Sequence, residues 1–113
     1  MSECIFCKIA NGEIKSEILY KDEQVVAFKD ISPRAAIHFL IIPVKHISTV
    51  YDLEEVDNEL VGHIFQVAKK LADEYNIAES GYRLVVNCKE DGGQEVFHLH
   101  FHLLGGEKLG AFC

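Results

Sequence analysis

A chain of 113 residues, 49% of them apolar, has the length and composition of one domain with one core, here expected to span residues 1–113. Its net charge of −7 argues against binding nucleic acid through a broad basic surface, although one small phosphate could still be held locally. No run approaches the ~20 apolar residues of a membrane span, and Met1-Ser2-Glu3-Cys4 lacks the basic region and apolar core of a secretory signal. The expected location is therefore the cytoplasm. There Cys4, Cys7, Cys88 and Cys113 read as thiols or metal ligands rather than as disulfides.

In chain order, Ile5 to Ala10 is expected to form a short helix stopped by Asn11-Gly12. It carries a Cys4-x-x-Cys7 pair. A tetrahedral zinc site would need two further ligands, so zinc ligation and a pair of reduced thiols both remain open here. A thioredoxin-like redox pair is the weaker reading, because no strand of a βαβ unit precedes it. Ser16–Tyr20 and Gln24–Lys29 read as an antiparallel hairpin around Lys21-Asp22-Glu23, followed by a loop at Asp30-Ile31-Ser32-Pro33-Arg34. His38 to Pro43 is a nearly continuous apolar strand suited to a sheet centre. Leu60, Ile64, Val67, Ala68, Leu71 and Tyr75 recur at three and four, predicting an amphipathic helix over about 53–75 with Asp52 as its N-cap and His63 on the solvated face. Acids early and lysines late in that helix suit its dipole. Gly81–Asn87 is a fourth strand, and Cys88–Gly93 a polar turn whose paired glycines could bring N–H groups to a phosphate. One long helix and about five mainly antiparallel strands make an α+β domain.

The stretch from Gly92 to Gly106 is the most informative. His98, His100 and His102 occupy every second position between Phe97, Leu99, Phe101 and Leu103. As a strand it would line three imidazoles along one face and bury four apolar groups on the other. As a helix it would scatter both sets. Alternate strand residues lie roughly 6.5 Å apart, so two imidazoles could share a metal but hardly all three. At least one is left for proton or nucleophilic chemistry.

His98-Leu99-His100-Phe101-His102-Leu103-Leu104 resembles the signature of the histidine triad superfamily. Gly92-Gly93-Gln94, Gly105-Gly106 and Asp30-Ile31-Ser32-Pro33 resemble its Hint branch, and the likeness runs from Ile5-Phe6-Cys7-Lys8-Ile9 to Gly106. The resemblance implies a homodimer with sheets joined across the interface, and a structural zinc held by Cys4, Cys7, His46 and His98. It implies that Asp30 accepts hydrogen bonds from ribose hydroxyls, that Ile31 lies against the base, and that Asn87 bonds near the scissile phosphate. His38 would stand behind the nucleophile. Backbone N–H groups around Gly93, Gln94, Glu95 and Val96 would hold the phosphate, with the Glu95 carboxylate turned away from it.

The activity implied is hydrolysis of purine nucleoside phosphoramidates through a nucleotidyl-histidine on His100, with His102 donating to a phosphate oxygen or the leaving group. No organic cofactor is expected. Two other readings accompany it, a dinucleoside polyphosphate hydrolase using the same nucleophile and a dimeric nucleotide-binding interaction protein with incidental hydrolysis. The chain carries Glu95 where many Hint proteins have Ser, and its tail Gly110-Ala111-Phe112-Cys113 differs from theirs, which leaves the amine preference open.

Overall fold

In the computed structural model, residues 4–112 are described; Met1–Glu3 and the Cys113 thiol lie outside them. Five strands form one antiparallel sheet in the order β1-β2-β3-β5-β4, with β1 Ile18–Lys21, β2 Val25–Lys29, β3 Ile37–Pro43, β4 Tyr82–Val86 and β5 Phe101–Gly105. The α+β expectation holds, as does the β1–β2 hairpin. No helix among the described residues is long and apolar enough to cross a membrane.

Side-chain alternation splits the sheet into two apolar faces. Val25, Ala27, Phe39, Ile41, Phe101 and Leu103 meet helix α2 (Asn58–Glu74) through Leu60, Ile64, Val67, Ala68 and Leu71, while Val26, Phe28, Leu40 and Ile42 meet helix α1 (Ile5–Ala10) through Phe6, Ile9 and Ala10. α1 is short because Asn11 closes it and Gly12 turns the chain away at φ +81°, a conformation that suits glycine. At its other end the Cys7 N–H donates to Cys4 Sγ at 3.3 Å.

The long helix begins later than its apolar stripe suggests. Val50–Asp52 and Glu55–Asp57 are single 3-10 turns separated by extended Leu53 and Glu54. Asp52 does not cap the helix; its carboxylate accepts from the Thr49 hydroxyl at 2.8 Å. The residue before α2 is Asp57, buried, which accepts from Lys45 Nζ at 2.8 Å and from the Glu54 N–H at 3.0 Å. Those hydrogen bonds, the Lys45 one foremost, hold its carboxyl below the usual range. Lys69 and Lys70 fall one turn short of the helix end, so the last turn carries no cation.

His63 is half-buried and paired rather than simply solvated. Its Nε2 lies 2.6 Å from Asp22 Oδ2, which also accepts from the Tyr20 hydroxyl at 2.6 Å. The other Asp22 oxygen accepts the N–H groups of Gln24 and Val25 at 2.7 and 2.8 Å. One carboxylate thus shapes the β1–β2 turn and ties it to α2. Burial alone would raise the Asp22 carboxyl, but the hydrogen bonds from Tyr20, His63, Gln24 and Val25 together hold it well below the usual range.

Asp22→Ala should therefore cost about 1–3 kcal/mol of stability at neutral pH, read as a lower denaturant midpoint. A depressed carboxyl stabilises the fold above the unfolded-state pKa of roughly 4, and that contribution is lost as pH falls from there toward the folded-state value. The gap between parent and variant should accordingly narrow below about pH 4; a gap independent of pH would refute the charged-latch account.

Candidate active site and metal centre

The histidine row does not lie wholly in a strand. β5 starts only at Phe101, which pairs with Ile41 of β3. The same register would put Pro43 opposite Leu99, and proline has no N–H to continue the ladder. The chain leaves the sheet there, and Leu99 instead donates its N–H to the Ile47 carbonyl at 2.6 Å. Alternation survives the break, with Leu99, Phe101 and Leu103 in the α2-side core. Phe97 does not follow them inward; it is 48% exposed, beyond the point where pairing stops.

His98 is fully buried. Its Nε2 lies 2.8 Å from the Pro43 carbonyl. A carbonyl only accepts, so the network assigns the proton to Nε2 and leaves a lone pair on Nδ1. That Nδ1 lies 3.3 Å from Cys4 Sγ, 3.5 Å from Cys7 Sγ and 3.2 Å from His46 Nδ1, and His46 Nδ1 lies 3.2 Å from Cys7 Sγ. A tetrahedral centre with ordinary zinc–sulfur and zinc–nitrogen bonds separates its ligand atoms by about 3.3–3.8 Å, close to this spacing. Burial pulls the His98 imidazole toward its neutral form. Burial and the neighbouring Cys4 push the Cys7 thiol up, a strain that a divalent cation relieves by binding the thiolates. The four residues separated by sequence thus meet as a set that fits a metal.

Asp30, His38 and His102 also converge closely enough to suggest a metal, but their protons do not suit one. The Arg34 N–H donates to His38 Nδ1 at 3.0 Å, so neutral His38 carries its proton on Nε2, the atom facing the cluster. A ligating imidazole does the reverse and donates from its outer nitrogen. The three form a relay instead. His38 Nε2–H donates to His102 Nδ1 at 2.9 Å, with Asp30 Oδ2 at 3.3 Å, and His102 keeps its own proton on Nε2. Burial lowers both imidazoles, His102 to about 4, with His100 and His38 adding to the shift. His38 therefore stands behind His102, not behind His100.

His100 is buried at 8% exposure, with Nδ1 2.8 Å from the His98 carbonyl. Its proton is on Nδ1 by the same reasoning, and Nε2 holds a lone pair. The Phe6 ring packs edge-on against it at 5.1 Å, and the His102 ring lies 5.0 Å away.

A pocket of about 480 Å³ opens over this face. It brings together Asp30, His38, Asn87, Gly93, Glu95, His100 and His102, as the sequence suggests. Ile31, Gln94 and Val96 do not line it. Ile31 is 94% exposed, and Val96 packs against the α1-side core. Gln94 is buried as a clamp, donating to the Ser48 and Val96 carbonyls and accepting from the Lys89 N–H.

The glycine pair is less an anion nest than a turn. A Cβ on Gly92 would stand 2.6 Å from the Cys88 carbonyl oxygen, and Gly93 adopts φ +84°. The N–H groups of Gly93 and Gln94 are spent on the Glu90 and Lys89 carbonyls. Asp30 is divided similarly: Oδ1 accepts the Ser32 N–H at 2.8 Å, leaving Oδ2 for the pocket.

Sequence reasoning missed Arg34, Arg83 and the depth to which the tail enters the site. Leu109 to Phe112 line the pocket, pinned by Arg83 donating to the Gly110 carbonyl at 2.8 Å and by Ala36 N–H donating to Glu107 at 2.7 Å. Arg83 was within reach of strand alternation, since it shares a face with Val85 and Asn87. No local pattern marks the tail.

The family model described as scavenger mRNA decapping enzyme C-term binding matches residues 3–112. A purine nucleoside phosphoramidase of Escherichia coli (strain K12) is 51% identical over 108 residues, 96% of this chain and 91% of that protein. The crystal structure of a HIT family hydrolase from Legionella pneumophila Philadelphia 1 superposes with a TM-score of 0.94 at 50% identity, covering 96% of each chain. A histidine triad protein from Clostridium difficile superposes with a TM-score of 0.96 at 46% identity, covering 99% of this chain and 97% of that one.

The two side-chain clusters make opposite predictions. Titration with Co2+ should saturate at one equivalent per chain with thiolate-to-metal absorption, and Cys4→Ser or His98→Ala should abolish it. His38→Ala should leave it intact. Loss of the bound equivalent in His38→Ala would move the metal to the wrong cluster.

Proposed function

The chain belongs to the histidine triad family, and on that footing we propose that it is a nucleotidyl hydrolase that splits purine nucleoside phosphoramidates into a nucleoside monophosphate and an amine. The observation that carries the reading is the state of His100. With Nδ1–H fixed on the His98 carbonyl at 2.8 Å, its Nε2 lone pair accepts no proton from the described residues and is available for attack. The kinship to the phosphoramidase of Escherichia coli supports the substrate class.

In the proposed reaction Asp30 Oδ2 holds the ribose hydroxyls, and exposed Ile31 covers the base. The unspent N–H of Glu95, with Asn87, holds the α-phosphate against His100. Attack of Nε2 on phosphorus breaks the phosphorus–nitrogen bond, and the nitrogen takes up one solvent proton, which the attacking water gives back in the next step, and leaves as the amine. The nucleotidyl-imidazolium that remains keeps its Nδ1–H on the His98 carbonyl, so its positive charge is stabilised without moving a proton. Water then attacks phosphorus, releasing the monophosphate and restoring neutral His100. Throughout, the His38 relay holds His102 with Nε2–H outward, a donor to a phosphate oxygen or to the departing nitrogen.

The metal at Cys4, Cys7, His46 and His98 is proposed to be zinc. Two thiolates and two imidazoles fill a tetrahedron with no open position, so it would cross-link α1 to the triad segment rather than activate water. The chain is proposed to be a cytoplasmic homodimer, consistent with the half-exposed Phe65 and Tyr82. Light scattering in solution would read the mass of one or two chains.

Brief mixing with an adenosine phosphoramidate should give a transient mass increase of one AMP on the parent and none on His100→Ala, whose turnover should fall about 10³-fold or more. Near-parent turnover by the variant would remove His100 from the role. The pH dependence follows from His102, which is neutral above about pH 4 because burial depresses it. Below that pH it gains a proton on Nδ1 and loses the hydrogen bond from His38. The acid limb of kcat/KM should therefore not begin with His102 until pH approaches about 4, and His38→Ala should move that limb.

A further inference from the structure

We propose that the Cys4–Cys7 pair is also a site of reversible oxidation by hydroperoxides, through which the metal cluster switches the nucleophile off. The inference rests on the reading of His100 as nucleophile, and it stands on three features of the fold.

The first is access. Both sulfurs are half-buried and line a groove of about 970 Å³ with Ile5, His46, Glu95 and Phe97, separate from the substrate pocket except for the shared wall at Glu95. A peroxide reaches the thiols without entering the substrate pocket. The second is proximity. Cys4 and Cys7 Sγ belong to a cluster whose ligand atoms all lie within 4.8 Å of one another, and Cys4 Sγ already bends back over the first turn to accept the Cys7 N–H. Closing to a bond of about 2.05 Å takes side-chain rotation rather than refolding. Cys88, the other described thiol, is in no such cluster.

The third feature is what the cluster holds. His98 offers Nδ1 to the metal and, one peptide group on, its carbonyl to His100 Nδ1–H. Phe6, which packs edge-on against His100, sits between the two cysteines on α1. Both contacts that orient the nucleophile therefore come from parts that the metal ties together.

The chemistry balances with a hydroperoxide as the only oxidant. One thiolate attacks the outer peroxide oxygen, breaking the O–O bond and giving a sulfenic acid and, after protonation, an alcohol, or water if the oxidant is hydrogen peroxide. The second thiolate attacks that sulfur and expels hydroxide, which becomes water. Two sulfurs lose two electrons, the peroxide gains them, and one disulfide forms. A cation held there would be left with only His46 and His98 as ligands and would be released. His98 Nδ1 then keeps only His46 Nδ1 beside it, at 3.2 Å, and without the four-ligand cross-link α1 with Phe6 and the segment that carries the His98 carbonyl are free to shift against one another. A dithiol reductant and fresh metal reverse the sequence.

The test uses the metal-loaded full chain carrying Cys88→Ser and Cys113→Ser, so that only the pair can react. Stoichiometric hydrogen peroxide is added, released metal is followed with a chromogenic chelator, and the tryptic peptide Met1–Lys8, which contains both cysteines, is weighed. Expected are a peptide lighter by two hydrogens, one metal equivalent released, and a parallel fall in kcat of about 10- to 100-fold with little change in KM. Dithiothreitol and metal should restore all three. Cys7→His retains a ligating atom but cannot form the disulfide, and should lose the reversible fall. The proposal is overturned if the peptide stays reduced with metal bound, or if the disulfide forms and metal leaves while turnover persists. Absence of turnover before peroxide is added would instead count against the hydrolase reading, since the disulfide and metal signals do not depend on activity.

Discussion

Everything at the reactive end of this molecule depends on how one buried imidazole is satisfied. His98 cannot meet water, so each of its polar atoms needs a protein or metal partner. Pro43 takes the Nε2 proton, the thiol cluster takes the Nδ1 lone pair, and the backbone carbonyl takes the proton of His100. Removing any one of these partners leaves a buried polar atom unpaired, a cost of about 1–3 kcal/mol, and also loosens the other two because they share one residue. The cysteine–histidine cluster, the end of the sheet and the orientation of His100 are in this sense a single constraint.

A second chain of hydrogen bonds works from the opposite side of the pocket, and its direction is set by the backbone. The Arg34 N–H cannot change its role, so His38 and then His102 fall into line with one proton arrangement. In each network a main-chain group fixes the first imidazole, and in the second Asp30 Oδ2 stands beside it, 3.3 Å from His38 Nε2. Burial pulls His98, His38 and His102 toward their neutral forms. Neutral His38 and His102 avoid the repulsion that two adjacent imidazolium ions would suffer.

Much of this was legible in the sequence, and the reasons are physical. The period-two run from His98 to Leu103 specifies a two-faced segment whatever its hydrogen bonding, so the sorting of imidazoles from apolar groups survives even where the strand does not. The apolar stripe of α2 and the Asn11-Gly12 stop of α1 are equally local signals. What could not be read was decided by partners distant in the chain. Asp57 rather than Asp52 precedes the long helix, where Lys45, twelve positions back, meets it. His63 is drawn to a turn 41 positions away. The Gly93 and Gln94 amides, by contrast, are spent within their own turn, on the Glu90 and Lys89 carbonyls. The Cys-x-x-Cys pair, ambiguous alone, acquires meaning only when the fold delivers His46 and His98 to it.

Pro43 illustrates how such a division of labour can be encoded. Had the β3–β5 ladder continued, the three imidazoles would stand in one evenly spaced row, all equivalent in direction. By withholding a single N–H, this residue ends the pairing between His98 and His102 and offers its carbonyl to the ring that turns away. Two separate chemistries are thereby cut from one monotonous sequence pattern by a side chain that has no functional group at all. A survey of this protein that replaced only its ionisable and nucleophilic residues would pass over the position that makes their roles differ.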